Sequence, residues 1–234
     1  NIGIKGYAKE GMHIISSGME HNSVSRPIVA LESQGISHTF VRCDSEGFLD
    51  LEELENSFTD KTGLVAVTHA SNVTGTVNDI MKIGAICKAH NVPLLVDCAQ
   101  SAGVFDIDVQ KMNIAILCAP GHKSLYGPMG TGFIYVREDI SLSPLMQGGS
   151  GSKSESLIHP DIMPDKLESG TANAVGIAGL LEGIRYIQHI GISNIRQHEQ
   201  ELVELCIKGL KQYKNVKIYG PEDFTKRCGV VSFN

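Results

Sequence analysis

Short apolar runs alternate with stretches of helical length along most of this chain. Each run is six to ten residues long, is mostly apolar or small, and is bounded by polar or glycine-containing turns, as in strands that are buried on both faces. The runs that predict strands are residues 12–17, 38–43, 63–71, 92–100 and 114–123. Because helices separate several of them, the pattern predicts an α/β fold with a mostly parallel sheet covered by helices on both faces.

The stretch between the third and fourth runs has the clearest helical spacing. Ile80, Ile83 and Cys87 recur on one face, and Asn78 is the predicted N-cap. A further strand is predicted over residues 130–139, and it follows a glycine turn instead of a helix. Its direction is therefore open, and an antiparallel orientation is compatible with the pattern.

The alternation of apolar runs and helical stretches stops in the last third of the chain. Residues 143–173 are rich in glycine, proline and serine and lack apolar periodicity, which indicates a long loop that is either functional or disordered. Helical spacing returns over residues 174–191 and 192–213, and short apolar runs follow at 215–221 and 228–233.

This pattern predicts two domains. Residues 1–190 form a large domain whose beginning is missing, and residues 191–234 begin a small α+β domain. Asn1 to Ala8 resembles the end of a helix, and the final run is a strand without a partner after it. We therefore expect the chain to be a fragment, truncated at both ends.

Composition excludes several classes of protein. The 234 residues include 20 basic and 26 acidic ones, for a formal net charge of −6, and no basic block suggests a nucleic-acid surface. No apolar run is long enough to span a membrane. The six cysteines form no CxxC pair, so we expect free thiols in a reducing cytoplasm, with neither disulfides nor a metal site.

Polar side chains follow four of the predicted strands where those strands end. They are His21, Asn72, Asp97, Gln100, His122 and Lys123. Ligands of open α/β sheets bind beyond the carboxyl ends of the strands. Taken alone, Asp97 could cap a turn and Lys123 could be a surface lysine. Their shared position favours a binding site instead.

An acid and an amine at one sheet edge suit one chemistry in particular. Pyridoxal phosphate (PLP) forms a Schiff base with a lysine, and an aspartate pairs with its protonated ring nitrogen. Asp97 ends an apolar strand, where a carboxylate is costly to desolvate unless it faces a cation. Lys123 lies in the segment CAPGHKSLYGPMGTG, whose glycines allow a close approach of backbone to cofactor.

Three segments carry a resemblance to a known family: LLVDCAQSAGVFDIDV, GHKSLYGPMGTGFIYV and LESGTANAVGIAGLLEGI. In order and spacing they resemble class V aminotransferases and cysteine desulfurases of PLP fold type I, nearest to the branch that includes selenocysteine lyases. The resemblance implies a PLP-dependent enzyme acting on a small amino acid. A cysteine desulfurase or selenocysteine lyase, which releases sulfur or selenium and forms alanine, is the leading interpretation.

The resemblance also implies roles for individual residues. Lys123 is the Schiff-base lysine and proton shuttle, and Asp97 pairs with the pyridinium nitrogen. His21 stacks on the ring and is counted with Lys123 as catalytic. Gln100 and Asn72 lie by the phenolic oxygen, and Asn72 is also a candidate substrate contact.

The phosphate contacts implied by the resemblance come from two chains. His122 reaches the phosphate of its own subunit, whereas Gly170 and Thr171 reach that of a neighbouring subunit, which implies a homodimer. Two positions depart from the family pattern. Pro120 replaces a common hydroxyl ligand of the phosphate, and Ala115 replaces a common aspartate.

Other parts of the family pattern would lie outside this chain. The helix N-terminus that cups the phosphate would precede Asn1, and the sulfur-attacking cysteine and carboxylate-binding arginine would follow Asn234. None of the six cysteines matches that catalytic position. Residues 1–234 alone are therefore expected to be inactive, and the complete enzyme has a sulfur-acceptor protein as a possible partner.

Two alternatives remain beside the leading interpretation, and a third is set aside. A class V aminotransferase uses the same lysine and aspartate. A cofactor-free remnant that serves as an interaction module would not need to retain them. A dinucleotide-binding fold requires GxGxxG after the first strand, whereas GPMGTG precedes a strand here, so we set that alternative aside.

Overall fold

A six-stranded sheet forms the centre of the molecule in the computed structural model, which describes all of residues 1–234. The strands are β1 His13–Ser17, β2 Ser37–Val41, β3 Thr62–Thr68, β4 Leu94–Asp97, β5 Ile114–Pro120 and β6 Gly132–Val136. Their order in the sheet is β2-β1-β3-β4-β5-β6. The first five run parallel, and β6 is antiparallel to β5. The predicted α/β sheet is confirmed, and the open direction of the last strand is resolved.

Helices lie against both faces of the sheet. They are α1 Ile2–Tyr7, α2 Asn22–Ala30, α3 Leu51–Asn56, α4 Ile80–Ala89, α5 Ala174–Ile190 and α6 Ile192–Leu210. Neighbouring strand residues point to opposite faces, so Ile14 joins the core beneath α1 and α2, while Ile15 joins the core beneath α3, α4 and α5. Both faces are therefore apolar, which explains the nearly continuous apolar runs in the sequence.

The predicted N-cap of α4 is wrong by one residue. Asp79 caps this helix, and its Oδ1 accepts a hydrogen bond from the Lys82 N–H at 3.1 Å. Asn78 is buried instead, where its amide donates to the Thr68 carbonyl at 3.0 Å and accepts from the Leu49 N–H at 3.1 Å. Both residue types are good caps, and only the tertiary contacts decide which one serves the helix.

Residues 143–173 contain no helix or strand, as the sequence predicts. The segment is nonetheless anchored to its surroundings. The Ser143 N–H donates to the Gly6 carbonyl at 2.8 Å, and the Lys166 ammonium donates to the Ser141 hydroxyl at 3.2 Å. This loop returns to the sheet edge before α5 begins.

The C-terminal segment forms a separate, small sheet. Strands β7 (Ile218–Tyr219) and β8 (Ser232–Phe233) pair antiparallel. A buried arginine, Arg227, fixes this segment to the loop after β3. Its guanidinium donates to four backbone carbonyls, those of Thr74, Tyr219, Pro221 and Val230. The division of the chain at residue 190 into two domains stays a prediction. None of the helices is both long enough and apolar enough to traverse a bilayer.

Candidate active site

A cavity of about 900 Å³ opens at the carboxyl ends of β1, β4 and β5. Four of the predicted site residues line it: His21, Asp97, His122 and Lys123. Parallel strands bring their carboxyl ends to the same edge of a sheet, which explains why residues 102 positions apart meet here. The walls are completed by the start of α1, by β6 and by residues 163–168 of the long loop.

Asp97 is the last residue of β4 and is 8% exposed. Its Oδ1 accepts a hydrogen bond from the Ala99 N–H at 2.8 Å. Its Oδ2 receives only a long hydrogen bond, 3.4 Å, from the Ser23 hydroxyl. A carboxylate oxygen has two lone pairs, so Oδ2 keeps an acceptor position for a cationic donor in the cavity.

His21 is the N-cap of α2, and this local role sets its orientation. Its Nδ1 accepts a hydrogen bond from the Ser23 N–H at 3.1 Å, and Nδ1 also lies 2.9 Å from the Ser23 hydroxyl oxygen. A neutral imidazole that accepts at Nδ1 carries its proton on Nε2. The side chain thus has a defined tautomer in its neutral form.

Lys123 and His122 follow β5 in a sharply folded loop. Gly121 makes this turn possible, because a Cβ at that position would lie 2.2 Å from Thr131 Oγ1. The Gly127 N–H closes the loop by donating to the Gly121 carbonyl at 2.7 Å. Lys123 is half-buried and His122 is exposed, and both side chains line the cavity.

Four other predicted site residues do not line the cavity. Asn72, in the loop after β3, is exposed, and Gln100 is half-buried. Gly170 and Thr171 are also exposed, at the end of the long loop. The roles assigned to Asn72, Gln100, Gly170 and Thr171 therefore stay predictions. Sheet topology determines at which edge a residue lies, whereas the loop conformation determines which way its side chain points.

Glu20 was missed at the sequence level, although it directly precedes His21 at the end of β1. Its Oε1 accepts hydrogen bonds from the Ser17 hydroxyl at 2.5 Å and from the Thr68 N–H at 2.9 Å, and Oε2 is buried without a partner. Burial raises the pKa of this carboxyl to about 8, and the nearby charge of Asp97 acts in the same direction. An acid immediately after a buried strand was the available signal.

The thiols near the site are not nucleophiles. Cys118 lines the cavity, and burial raises its pKa to about 11. Cys98 is fully buried beside it, and burial raises its pKa to about 12. Both are therefore protonated at neutral pH.

The donor set of the cavity fits PLP. The cofactor needs an amine to bind covalently and an acceptor for its ring N–H, and Lys123 and Asp97 Oδ2 offer these in one cavity. The phosphate needs positive or hydrogen-bonding groups, of which His122 is one. The cavity volume is also within the range of small-molecule sites.

Comparison with known sequences identifies the family of this chain. The sequence profile of the aminotransferase class-V family matches residues 1–234. The chain is 35% identical to a probable cysteine desulfurase of Pyrococcus abyssi, covering 100% of this chain and 59% of that protein. It is 33% identical to the cysteine desulfurase IscS of Clostridium botulinum, covering 97% of this chain and 55% of that protein.

Solved structures show the same fold. The apo structure of a cysteine desulfurase from Thermococcus onnurineus superposes with a TM-score of 0.91 at 35% identity, and covers 100% of this chain and 60% of that one. The cysteine desulfurase CsdA of Escherichia coli, at 24% identity, has a TM-score of 0.87 and supports the fold alone. The expected fold type I is thereby confirmed. The chain spans about 60% of the length of these relatives.

Proposed function

Because this chain belongs to the aminotransferase class-V family, we propose that the protein carrying it is a PLP-dependent cysteine desulfurase, which releases sulfur from cysteine and leaves alanine. One observation carries the proposal: a lysine amine and a buried carboxylate whose Oδ2 keeps a free acceptor position line the same cavity. The names of the relatives add the substrate, since several are called cysteine desulfurase.

Each residue of the cavity has a separate proposed role. PLP, when bound, supplies an electron sink for the bonds around the α-carbon of an amino acid. Lys123 would hold the cofactor and, once its amine is free, move a proton to or from the substrate. Asp97 Oδ2 would hold the proton on the ring nitrogen, because its negative charge favours the pyridinium form. His21 would cover one face of the ring with its imidazole.

Phosphate binding is proposed to need two copies of the chain. His122 lines the cavity of its own subunit, and Pro120 beside it offers no hydroxyl. Gly170 and Thr171 are exposed and lie outside this cavity. Their exposure leaves them free to contact the phosphate site of a second copy. The proposed assembly is therefore a homodimer in which each chain contributes to the phosphate site of the other.

The setting of the reaction is also part of the proposal. We place the enzyme in the cytoplasm because its six cysteines are all free thiols in the structure. The released sulfur is proposed to pass to an acceptor protein. Two further residues are proposed as contacts to cofactor or substrate. They are Asn72, which is exposed in the loop after β3, and Gln100.

A titration and a product assay test the proposal. The complete protein is titrated with PLP while visible absorbance is followed, and is then given L-cysteine under reducing conditions. We expect a visible band that saturates with PLP, and sulfide and alanine in equal amounts. Absence of the band would favour a cofactor-free module, and formation of a 2-oxo acid without sulfide would favour an aminotransferase. Either result contradicts the proposal.

A further inference from the structure

We propose that Ser23 is a positioning residue of this site, because its hydroxyl group joins the His21 imidazole to the Asp97 carboxylate and keeps both directed at the cavity. The role of Ser23 in catalysis rests on the proposed function. The contacts themselves lie within this chain and do not depend on a cofactor. Ser23 also lines the cavity itself.

The hydroxyl oxygen of Ser23 stands between two groups from different elements. It lies 2.9 Å from His21 Nδ1, at the start of α2, and 3.4 Å from Asp97 Oδ2, at the end of β4. Asp97 is 74 residues away in sequence, so this contact is a tertiary one. No other side chain forms a hydrogen bond to Asp97, whose second oxygen accepts from a backbone N–H.

A purely local role for this hydroxyl is the main alternative. Serines in the first turn of a helix often bond to their own backbone. Here the cap is His21, whose Nδ1 accepts the Ser23 N–H, so the hydroxyl is not needed for capping. Ser25, two residues further along, shows the local pattern instead, because its hydroxyl contacts the His21 carbonyl at 3.5 Å.

The single hydroxyl proton couples its two neighbours. A neutral His21 accepts at Nδ1, so the hydroxyl can donate to Nδ1 or to Asp97 Oδ2, but not fully to both. A doubly protonated imidazole instead donates from Nδ1 to the serine oxygen, loses the Ser23 N–H bond, and leaves the hydroxyl free to donate to Oδ2. The charge of His21 thus determines how strongly the Ser23 hydroxyl donates to Asp97 Oδ2. The charge of Asp97 in turn affects how strongly the same hydroxyl donates to His21 Nδ1.

Nuclear magnetic resonance on histidine labelled with ¹⁵N tests this link without cofactor. Ser23→Ala removes the hydroxyl, Ser23→Thr retains it, and Ser33→Ala is the matched control, since the exposed Ser33 hydroxyl bonds only to the Ala30 carbonyl. We expect wild type, Ser23→Thr and Ser33→Ala to show one neutral tautomer of His21 with Nδ1 as acceptor. Ser23→Ala keeps the backbone N–H that donates to Nδ1, so the tautomer should be retained, but the loss of the hydroxyl should shift the ¹⁵N resonance of Nδ1 towards that of a less strongly bonded acceptor nitrogen. A His21 spectrum unchanged in Ser23→Ala would overturn the proposal.

Cofactor affinity gives the second measurement. Asp97 loses one hydrogen bond in Ser23→Ala, so we expect PLP to bind about fivefold more weakly, with Ser23→Thr close to wild type. Equal affinity in all variants would overturn the positioning of Asp97. If wild type itself shows no visible band with PLP, the proposed function fails, whereas the His21 spectra still decide whether Ser23 holds the imidazole.

Discussion

The backbone N–H of Thr68 donates to Glu20 Oε1 at 2.9 Å, which ties the loop after β1 to the carboxyl end of β3. Glu20 is buried at this junction, and one of its oxygens has no partner. Because burial raises its pKa to about 8, the carboxyl is mostly neutral at pH 7. A neutral Glu20 adds no negative charge to this region, where Asp97 is proposed to hold one positive ring nitrogen.

Glu20 makes stability dependent on pH. The unfolded carboxyl titrates near its ordinary pKa of 4.5 and the folded one near 8, so the folded state binds more protons between these values. The contribution of Glu20 is fully present below pH 4.5 and is lost as the pH rises to about 8, by at most about 5 kcal/mol. Urea unfolding across this range measures it.

Glu20→Gln is the variant that isolates this effect. Glutamine keeps an acceptor for the Thr68 N–H and does not titrate, so the loss of stability towards pH 8 should shrink. Glu55→Gln, at an exposed position of α3, should leave the pH dependence unchanged. An equal slope in wild type and Glu20→Gln would show that Glu20 is charged in the folded protein.

Asp97→Asn is expected to impair catalysis far more than folding. Asparagine still accepts the Ala99 N–H through its carbonyl oxygen, but it cannot stabilise a protonated ring nitrogen. A loss of about 3 kcal/mol in transition-state stabilisation corresponds to roughly a hundredfold lower turnover. The measurement is kcat in the PLP-saturated complete protein, with Asp106→Asn, at an exposed position, as the control. Turnover near that of wild type would reduce Asp97 to a turn-capping role.

Arg227→Ala is expected to destabilise the fold strongly. The substitution deprives four backbone carbonyls of a charged donor and leaves a cavity where the arginine is fully buried. We expect a loss of about 3–5 kcal/mol in the free energy of unfolding. Lys226→Ala, at the neighbouring exposed position, should change it by less than about 0.5 kcal/mol. Similar losses for both variants would mean that Arg227 contributes little.

The sheet could be predicted from sequence because its signal is local. Apolar runs and helical spacing lie within windows of a few residues, and they locate β1 to β6 and α4 correctly. The direction of β6 stayed open, since a glycine turn allows either orientation. The N-cap of α4 was misassigned because Asn78 makes contacts to β3 that no local pattern reveals.

The site was predicted in part for the same reason. The strand ends identified His21, Asp97, His122 and Lys123, which all line the cavity. The contributions of other residues depend on contacts between distant segments, such as Ser23 with Asp97 over 74 positions and Glu20 with Thr68 over 48. A single sequence carries no information on such pairs.

Reduction with sodium borohydride followed by peptide mapping tests the central claim most directly, namely that Lys123 holds PLP. The complete protein is loaded with PLP, reduced and digested, and the modified lysine is identified by mass spectrometry. We expect the pyridoxyl group on Lys123, and neither visible band nor label in Lys123→Ala, while Lys88→Ala at an exposed position behaves as wild type. A pyridoxyl group on Lys88 or Lys153 in the wild-type protein would contradict the assignment.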